Sequence, residues 1–400
     1  MADIVRYNYP MTIYSGPGSR RKLVETLNQT GLKKPMIITD RVVVGLPWFK
    51  GFTALFSEAS MEVGIFSEIW GNPTTTQVEA GVKAYKAFGA DSIIALGGGA
   101  AMDVAKVIAL MINHPGHVFD YEDGKPDALP VDQPFPPTYA VPTTAGTGSE
   151  VGRSSVISDP ETHVKKIVFD PKMLPLSAFL DAELTLGLPA GVTAATGVDA
   201  LSHNVEAYVA KGSHPMADGI ALEGIRLVAK NLVQTVAFAK EGQSAERTED
   251  NPFPDASAEH LEARDKMLNA SMMGAVAFQK GLGVTHSCAH ALSGVCDLHH
   301  GLAIAIMMPI AMTFNAQAVP ERLVDMAKAA GISEATADGF VAWLNKLNED
   351  VGIPSKLSAV GVKEEHIEKL VEYAFTDGCH QLNPRPVTKE DFKALFEQAL

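Results

Sequence analysis

The chain has 400 residues, a formal net charge of −14, and a composition that is 46% hydrophobic and 20% charged. That length exceeds what one hydrophobic core usually serves, so a soluble protein of two domains is expected. The acidic surplus leaves no basic excess to neutralise phosphates, which argues against nucleic acid or an anionic membrane as partner. Three cysteines, Cys288, Cys296 and Cys379, have no paired spacing. They give no disulfide framework and fit a reducing compartment. The N-terminus lacks a charged-then-apolar signal pattern. The longest apolar stretch, near 302–314, falls short of the roughly 20 residues that span a bilayer. It reads as a buried helix, and a cytoplasmic protein is expected.

In chain order, the first half alternates strand-like and helix-like segments. Residues 35–39 are a short β-branched apolar run ending at Asp40, and 61–66 are a second. Residues 92–96 stop at Gly97-Gly98-Gly99, 138–141 stop at Pro142, and 178–181 read as a last short strand. Helical patterns lie between, at 76–87 and 101–111. Apolar strands alternating with amphipathic helices predict a parallel sheet covered on both faces. After Pro189 strand signals fade, and long helical patterns follow at 191–211, 215–238, 258–279 and on to Leu400. The polar run 241–255 reads as a surface loop. The expected organisation is an α/β domain with a Rossmann-like sheet over 1–187 and an all-helical domain over 188–400.

The loop from Gly97 to Lys106 follows a buried strand and opens a helix. Glycine lets backbone N–H groups approach a ligand without a Cβ in the way. The helix N-terminus adds about half a positive charge, which favours a pyrophosphate. A bare tight turn is the alternative, but three consecutive glycines carry an entropic cost that a ligand would justify. Gly16-Pro17-Gly18 is a decoy, because Arg21 stands where a dinucleotide fingerprint needs its third glycine. Asp40 still ends a parallel strand. As a ribose ligand it would accept from a 2′-hydroxyl and repel a 2′-phosphate, favouring NAD over NADP; as a turn aspartate it would do neither. The stretches Pro142-Thr143-Thr144-Ala145-Gly146-Thr147-Gly148 and Asn72-Pro73-Thr74 also follow strands, on the edge where open α/β sheets bind ligands.

In the second half, Asp199 and His203 stand at i and i+4, and so do His286 and His290. On helices, each pair shares a face. His300 follows in Leu-His-His-Gly. A lone histidine is usually a satisfied core or surface residue. Two such pairs plus His300, in apolar helical surroundings where an unpaired imidazole is costly, favour a metal site. Imidazoles with a carboxylate suit a borderline divalent ion such as Fe²⁺ or Zn²⁺.

At this point the sequence resembles the iron-containing (group III) alcohol dehydrogenases over nearly its whole length. G-G-G-A-A-M-D-V-A-K, P-T-T-A-G-T-G-S-E, G-V-D-A-L-S-H and H-S-C-A-H…H-H-G come in that family's order, and Asn383-Pro384-Arg385 fits as well. The lactaldehyde reductase (propanediol oxidoreductase) branch looks nearest. The resemblance implies a Rossmann-like domain and a helical domain with the site in their cleft, a small alcohol or aldehyde substrate, and a homodimer or larger homo-oligomer. It implies Asp199, His203, His286 and His300 as metal ligands, with Fe²⁺ favoured and Zn²⁺ the alternative. His290 becomes a proton-relay residue rather than a ligand. Asp40, Asn72, Gly98, Gly99, Asp103, Thr143, Thr144 and Lys166 line the cofactor site, with Lys166 taken as the matching lysine in Lys-Lys-Ile-Val-Phe-Asp-Pro. The implied reaction is hydride transfer between NAD(H) and a primary alcohol, aldehyde or small diol, with the metal polarising the oxygen. Alternatives are a zinc-dependent glycerol dehydrogenase-like polyol oxidation, or a metal- and NAD-dependent synthase on the same fold. The sequence departs from the family pattern at Ala100, in place of serine, and at Ile304, in place of asparagine.

Overall fold

The computed structural model describes residues 11–162, 164–254 and 256–400. The strands are β1 (Thr12–Ser15), β2 (Pro35–Ile38), β3 (Gly64–Phe66), β4 (Ser92–Gly97), β5 (Thr138–Pro142), β6 (Ser154–Ser158), β7 (Lys165–Phe169) and β8 (Ser177–Leu180). One six-stranded sheet has the order β1-β8-β5-β4-β2-β3, and every pairing in it is parallel. Strands β2, β4, β5 and β8 are buried at every position. Their unbroken apolar runs encode that double coverage. Alternate residues face opposite sides. Ile38, Ile93 and Ala95 pack with Val104 and Ile108, while Ile37, Ile94 and Leu96 pack with Phe52 and Phe56.

The covering helices are α1 (Arg20–Gln29), α2 (Pro47–Glu58), α3 (Thr75–Phe88) and α4 (Gly99–Met111). A reciprocal cap fixes the start of α3: Thr74 Oγ1 accepts from the Gln77 N–H and Gln77 Oε1 accepts from the Thr74 N–H. The chain runs outward from β2 to β3 but the other way from β4 to β5. The crevice between the carboxyl ends of β2 and β4 is therefore the topological switch point, where such sheets bind ligands.

β6 and β7 form a separate antiparallel hairpin. It and β1 are absent from the expected strands, for a physical reason. β1 is short and half exposed at the sheet edge, and β6 carries three serines in five residues, so neither shows an apolar run.

Beyond Pro189, among the described residues, the regular elements are all helices: α5 (Ala190–Val209), α6 (Pro215–Glu241), α7 (Ala258–Ala277), α8 (Val284–Cys296), α9 (His300–Ala316), α10 (Pro320–Ala329), α11 (Ala337–Val351), α12 (Ile367–Thr376) and α13 (Lys389–Ala399), with short 3-10 turns between. They share one hydrophobic core in which Val198, Leu201, Leu232, Leu292, Met308 and Phe340 are all but fully buried. α9 contains the long apolar run and is buried along most of its length. Among the described residues no helix is long and apolar enough to cross a membrane.

Candidate metal and dinucleotide site

Helical periodicity places Asp199 and His203 one turn apart on α5, both buried. α8 brings His286 against them: the three residues each offer a ligand atom within 4.8 Å of the others. His300 opens α9, and its Nε2 lies 3.5 Å from Asp199 Oδ1. Gly301 makes that approach possible. A Cβ on it would stand 2.5 Å from the Ala195 carbonyl oxygen, one turn before Asp199. The imidazole centroids of His203 and His286 are 4.8 Å apart, those of His286 and His300 are 5.6 Å apart, and the Phe278 ring walls off His203 at 5.1 Å.

The polar atoms here are conspicuous for what they lack. Asp199 Oδ1 and His286 Nε2 are buried without a hydrogen-bond partner among the described residues, although such atoms are costly to leave unmade. Asp199 Oδ1 is 3.8 Å from His203 Nε2 and 3.5 Å from His300 Nε2. Those separations are too long for hydrogen bonds, and of the order kept by ligands each about 2.1 Å from one ion. The electrostatics agree. Burial lowers the His203 pKa to about 4, with the Asp199 charge opposing. Burial, the neighbouring imidazoles of His290, His286 and His203, and the Lys165 charge hold His300 well below the ordinary range. Both rings are thus neutral at pH 7, as ligation requires. A divalent cation fits this donor set.

His286 behaves differently. Burial works against its charged form, but the hydrogen bond and charge of Glu206 outweigh burial and raise its pKa. Glu206 Oε2 lies 2.7 Å from His286 Nδ1. His290 is arranged in parallel: its Nδ1 is 2.8 Å from Asp377 Oδ2, while Asp377 Oδ1 accepts from Ser287 Oγ and the Cys379 N–H. Burial opposes ionisation of Asp377, yet the charge and hydrogen bond of His290 hold its pKa far below the usual carboxylate range. His290, Asp377 and Cys379 also lie within ligand reach of one another, but His290 Nδ1 and Asp377 Oδ2 are hydrogen-bonded to each other. They form a dyad rather than an empty ligand set. Neither Glu206 nor Asp377 is visible in the sequence. A glutamate within a helix reads as surface charge, and each carboxylate meets its histidine across 80 or more residues.

At the switch point the glycine corner holds Gly97 at φ +142°, where a Cβ would press on Ala101 and lie 3.2 Å from Asp40 Oδ2. Glycine is required there. A Cβ on Gly98 would meet Thr144 at 3.3 Å, and one on Gly99 would meet Thr147 at 2.6 Å, so the glycines also let the two strand-end loops touch. α4 starts here without a side-chain cap. Asp40 divides its carboxylate: Oδ1 accepts from the Val42 and Val43 N–H groups at 2.8 and 2.9 Å, while Oδ2 faces the corner. Thr143 is buried and its N–H bonds to the Gly97 carbonyl. Asp103 is occupied internally, accepting from Ser149 Oγ and the Val156 N–H. It forms an ion pair with the buried Lys106, whose pKa burial lowers.

Asn72 lines a cleft of about 1030 Å³ together with Trp70, Thr74, Lys165, Ser293 and Asp297. Of the two neighbouring lysines on β7, Lys165 lines that cleft, and Lys369 lines it from α12. Lys166, expected in the cofactor site, puts its ammonium on Glu122 Oε2 at 2.7 Å and over the Phe119 ring. Successive residues of β7 face opposite ways. Ile304, one turn beyond His300, is fully buried in the helical core, where an asparagine would need partners.

The family description "Iron-containing alcohol dehydrogenase" matches residues 10–182, and its C-terminal counterpart matches 193–249 and 254–400. The chain is 36% identical over 392 residues to an NAD-dependent methanol dehydrogenase of Bacillus methanolicus, covering 96% of this chain and 97% of that one. It is 34% identical to a 1,3-propanediol dehydrogenase of Klebsiella pneumoniae, covering 98% of each. A crystal structure of a 1,3-propanediol oxidoreductase superposes with a TM-score of 0.89 at 34% identity over 100% of both chains.

Proposed function

The chain belongs to the iron-containing alcohol dehydrogenase family, and from that premise we propose that it interconverts a short primary alcohol or small diol with its aldehyde, using NAD(H) and one divalent cation. The observation that carries this reading is Asp199 Oδ1, a buried carboxylate oxygen without a hydrogen bond among the described residues, lying between His203 and His300. Asp199, His203, His286 and His300 would hold the cation. A cation there supplies Lewis acidity toward the alcohol or aldehyde oxygen, while the dinucleotide gives or takes the hydride.

The chain's own groups do the rest. The uncapped start of α4 and the glycine corner receive the pyrophosphate, with Thr143, Thr144 and Asn72 around it. Asp40 Oδ2 accepts from a ribose hydroxyl and repels a 2′-phosphate, which favours NAD over NADP. Lys165, rather than Lys166, faces the dinucleotide in the cleft. Asp103 acts through Ser149, bracing the threonine loop. With Nδ1 committed to Asp377, His290 exchanges its proton at Nε2. α5, α8 and Phe278 keep bulk water off His203 and His286, both buried. Iron is favoured by the family's own description, although this ligand set also suits zinc. Assembly as a homodimer or larger homo-oligomer, in the cytoplasm, completes the reading. Anaerobic purification, elemental analysis and an NADH-oxidation screen over short aldehydes, diol aldehydes and ketones test it. About one metal per chain and chelator-sensitive turnover of short aldehydes are expected. Full turnover after complete chelation defeats it.

A further inference from the structure

α8 begins, like any helix, with backbone N–H groups that no helical carbonyl can reach. Two buried side chains from distant parts of the chain take them. Asn383 Oδ1 accepts from the Val284 N–H at 3.2 Å. Glu206 takes the others: Oε2 from Gly283 at 2.9 Å and His286 at 3.4 Å, and Oε1 from Thr285 at 2.7 Å. The same Oε2 lies 2.7 Å from His286 Nδ1. Glu206 is fully buried on α5, three residues beyond His203.

An ionised carboxylate can only accept. The His286 ring proton therefore sits on Nδ1, and Nε2 keeps its lone pair. Nε2 is the atom left without a hydrogen-bond partner among the described residues. We propose that Glu206 is a positioning residue of the metal centre: one carboxylate both caps α8 and holds His286 as its Nδ1–H tautomer, so that Nε2 presents its lone pair to the cation. Its negative charge also strengthens the imidazole as a donor. The placement matters because α5 supplies two ligands and α8 a third. Glu206 ties the two helices at the point where their ligands meet. The inference rests on the assignment of a cation to Asp199, His203, His286 and His300.

Glu206→Gln keeps the shape but makes one end of the group a donor. If its NH₂ faces Nδ1, the ring proton is driven to Nε2. If it faces Thr285, donor opposes donor and the cap loosens. Neither orientation serves both tasks. Zinc affinity, read by chelator competition, is expected to fall roughly 10- to 100-fold. In the zinc-loaded wild-type protein, ¹⁵N-edited proton NMR should find a downfield His286 Nδ1–H resonance that moves or disappears in Glu206→Gln. Asn383→Ala, which removes a cap but leaves the carboxylate on the ring, should lower Tm and leave zinc affinity unchanged. His286→Ala should lose zinc. If His286→Ala loses zinc while Glu206→Gln binds it as the wild type does, this inference alone falls. If His286→Ala binds zinc normally, the metal assignment beneath it falls. Should Glu206→Gln fail to fold, the wild-type spectrum decides, since an unprotonated Nδ1 overturns the proposal.

Discussion

Gly301→Ala would test how the site is assembled without touching a ligand. The added methyl would stand 2.5 Å from the Ala195 carbonyl oxygen, 2.8 Å from its carbon and 3.4 Å from Ala195 Cβ. Two of these neighbours are backbone atoms of α5 and cannot rotate away. To restore an ordinary contact, the first turn of α9 has to retreat by roughly 1 Å. His300 is the preceding residue, so its 3.5 Å separation from Asp199 Oδ1 opens by a similar amount. Ligand distances tolerate only about 0.2 Å. Overpacking of this kind costs about 1–3 kcal/mol, so Tm of the metal-free protein should fall. Zinc affinity by chelator competition should drop at least about tenfold, or about 1.4 kcal/mol. Gly191→Ala is the control: it lies on α5 with nothing within 4 Å of the new methyl, and should stabilise by about 0.5–1 kcal/mol. If Gly301→Ala matches the wild type in both Tm and zinc affinity, close helix approach does not build the site.

His290→Ala should slow turnover by roughly 10²–10⁴ while metal content stays normal, and adding Asp377→Asn should cost little more, because the two act as a unit; loss of metal in His290→Ala would make it a ligand. Asp40→Gly removes a charged hydrogen-bond acceptor worth about 1.5–3 kcal/mol, so the NAD to NADP ratio of kcat/KM should drop by roughly 10- to 100-fold, and an unchanged ratio sinks the ribose assignment. Glu150 is buried, which raises its pKa from 4.5 to about 7 against the pull of its own backbone hydrogen bond and the Lys106 charge. Between those values the folded state keeps a proton that the unfolded chain has released, so stability declines as pH rises through that window and is level above it. Glu150→Gln should flatten the decline and gain up to about 3 kcal/mol at pH 8, measured by urea unfolding at pH 5 and pH 8; a slope identical to wild type refutes the assignment.

Much of the candidate site was legible because its cues are local. The Asp199–His203 spacing needs only a helix to bring the two side chains together, and Gly97-Gly98-Gly99 needs only a preceding strand and a following helix. The β-branched runs at β2, β4, β5 and β8 announce a doubly covered sheet by themselves. Element ends are less legible: residues 61–66 read as strand throughout, but only Gly64–Phe66 pair with β2.

The sequence by itself determined the four buried strands of the sheet and the long helices, the order of the motifs and the kinds of donor available for a cation. Only the tertiary structure decided which of Lys165 and Lys166 enters the cleft, because one residue of register on a strand exchanges its faces and the apolar run of β7, Ile167 to Phe169, is too short to fix that register. The packed fold alone also revealed Glu206 behind His286 and Asp377 behind His290. A buried carboxylate is stable only beside the donors that surround it. Those donors lie on other helices, and no periodicity along the chain records which helices will touch.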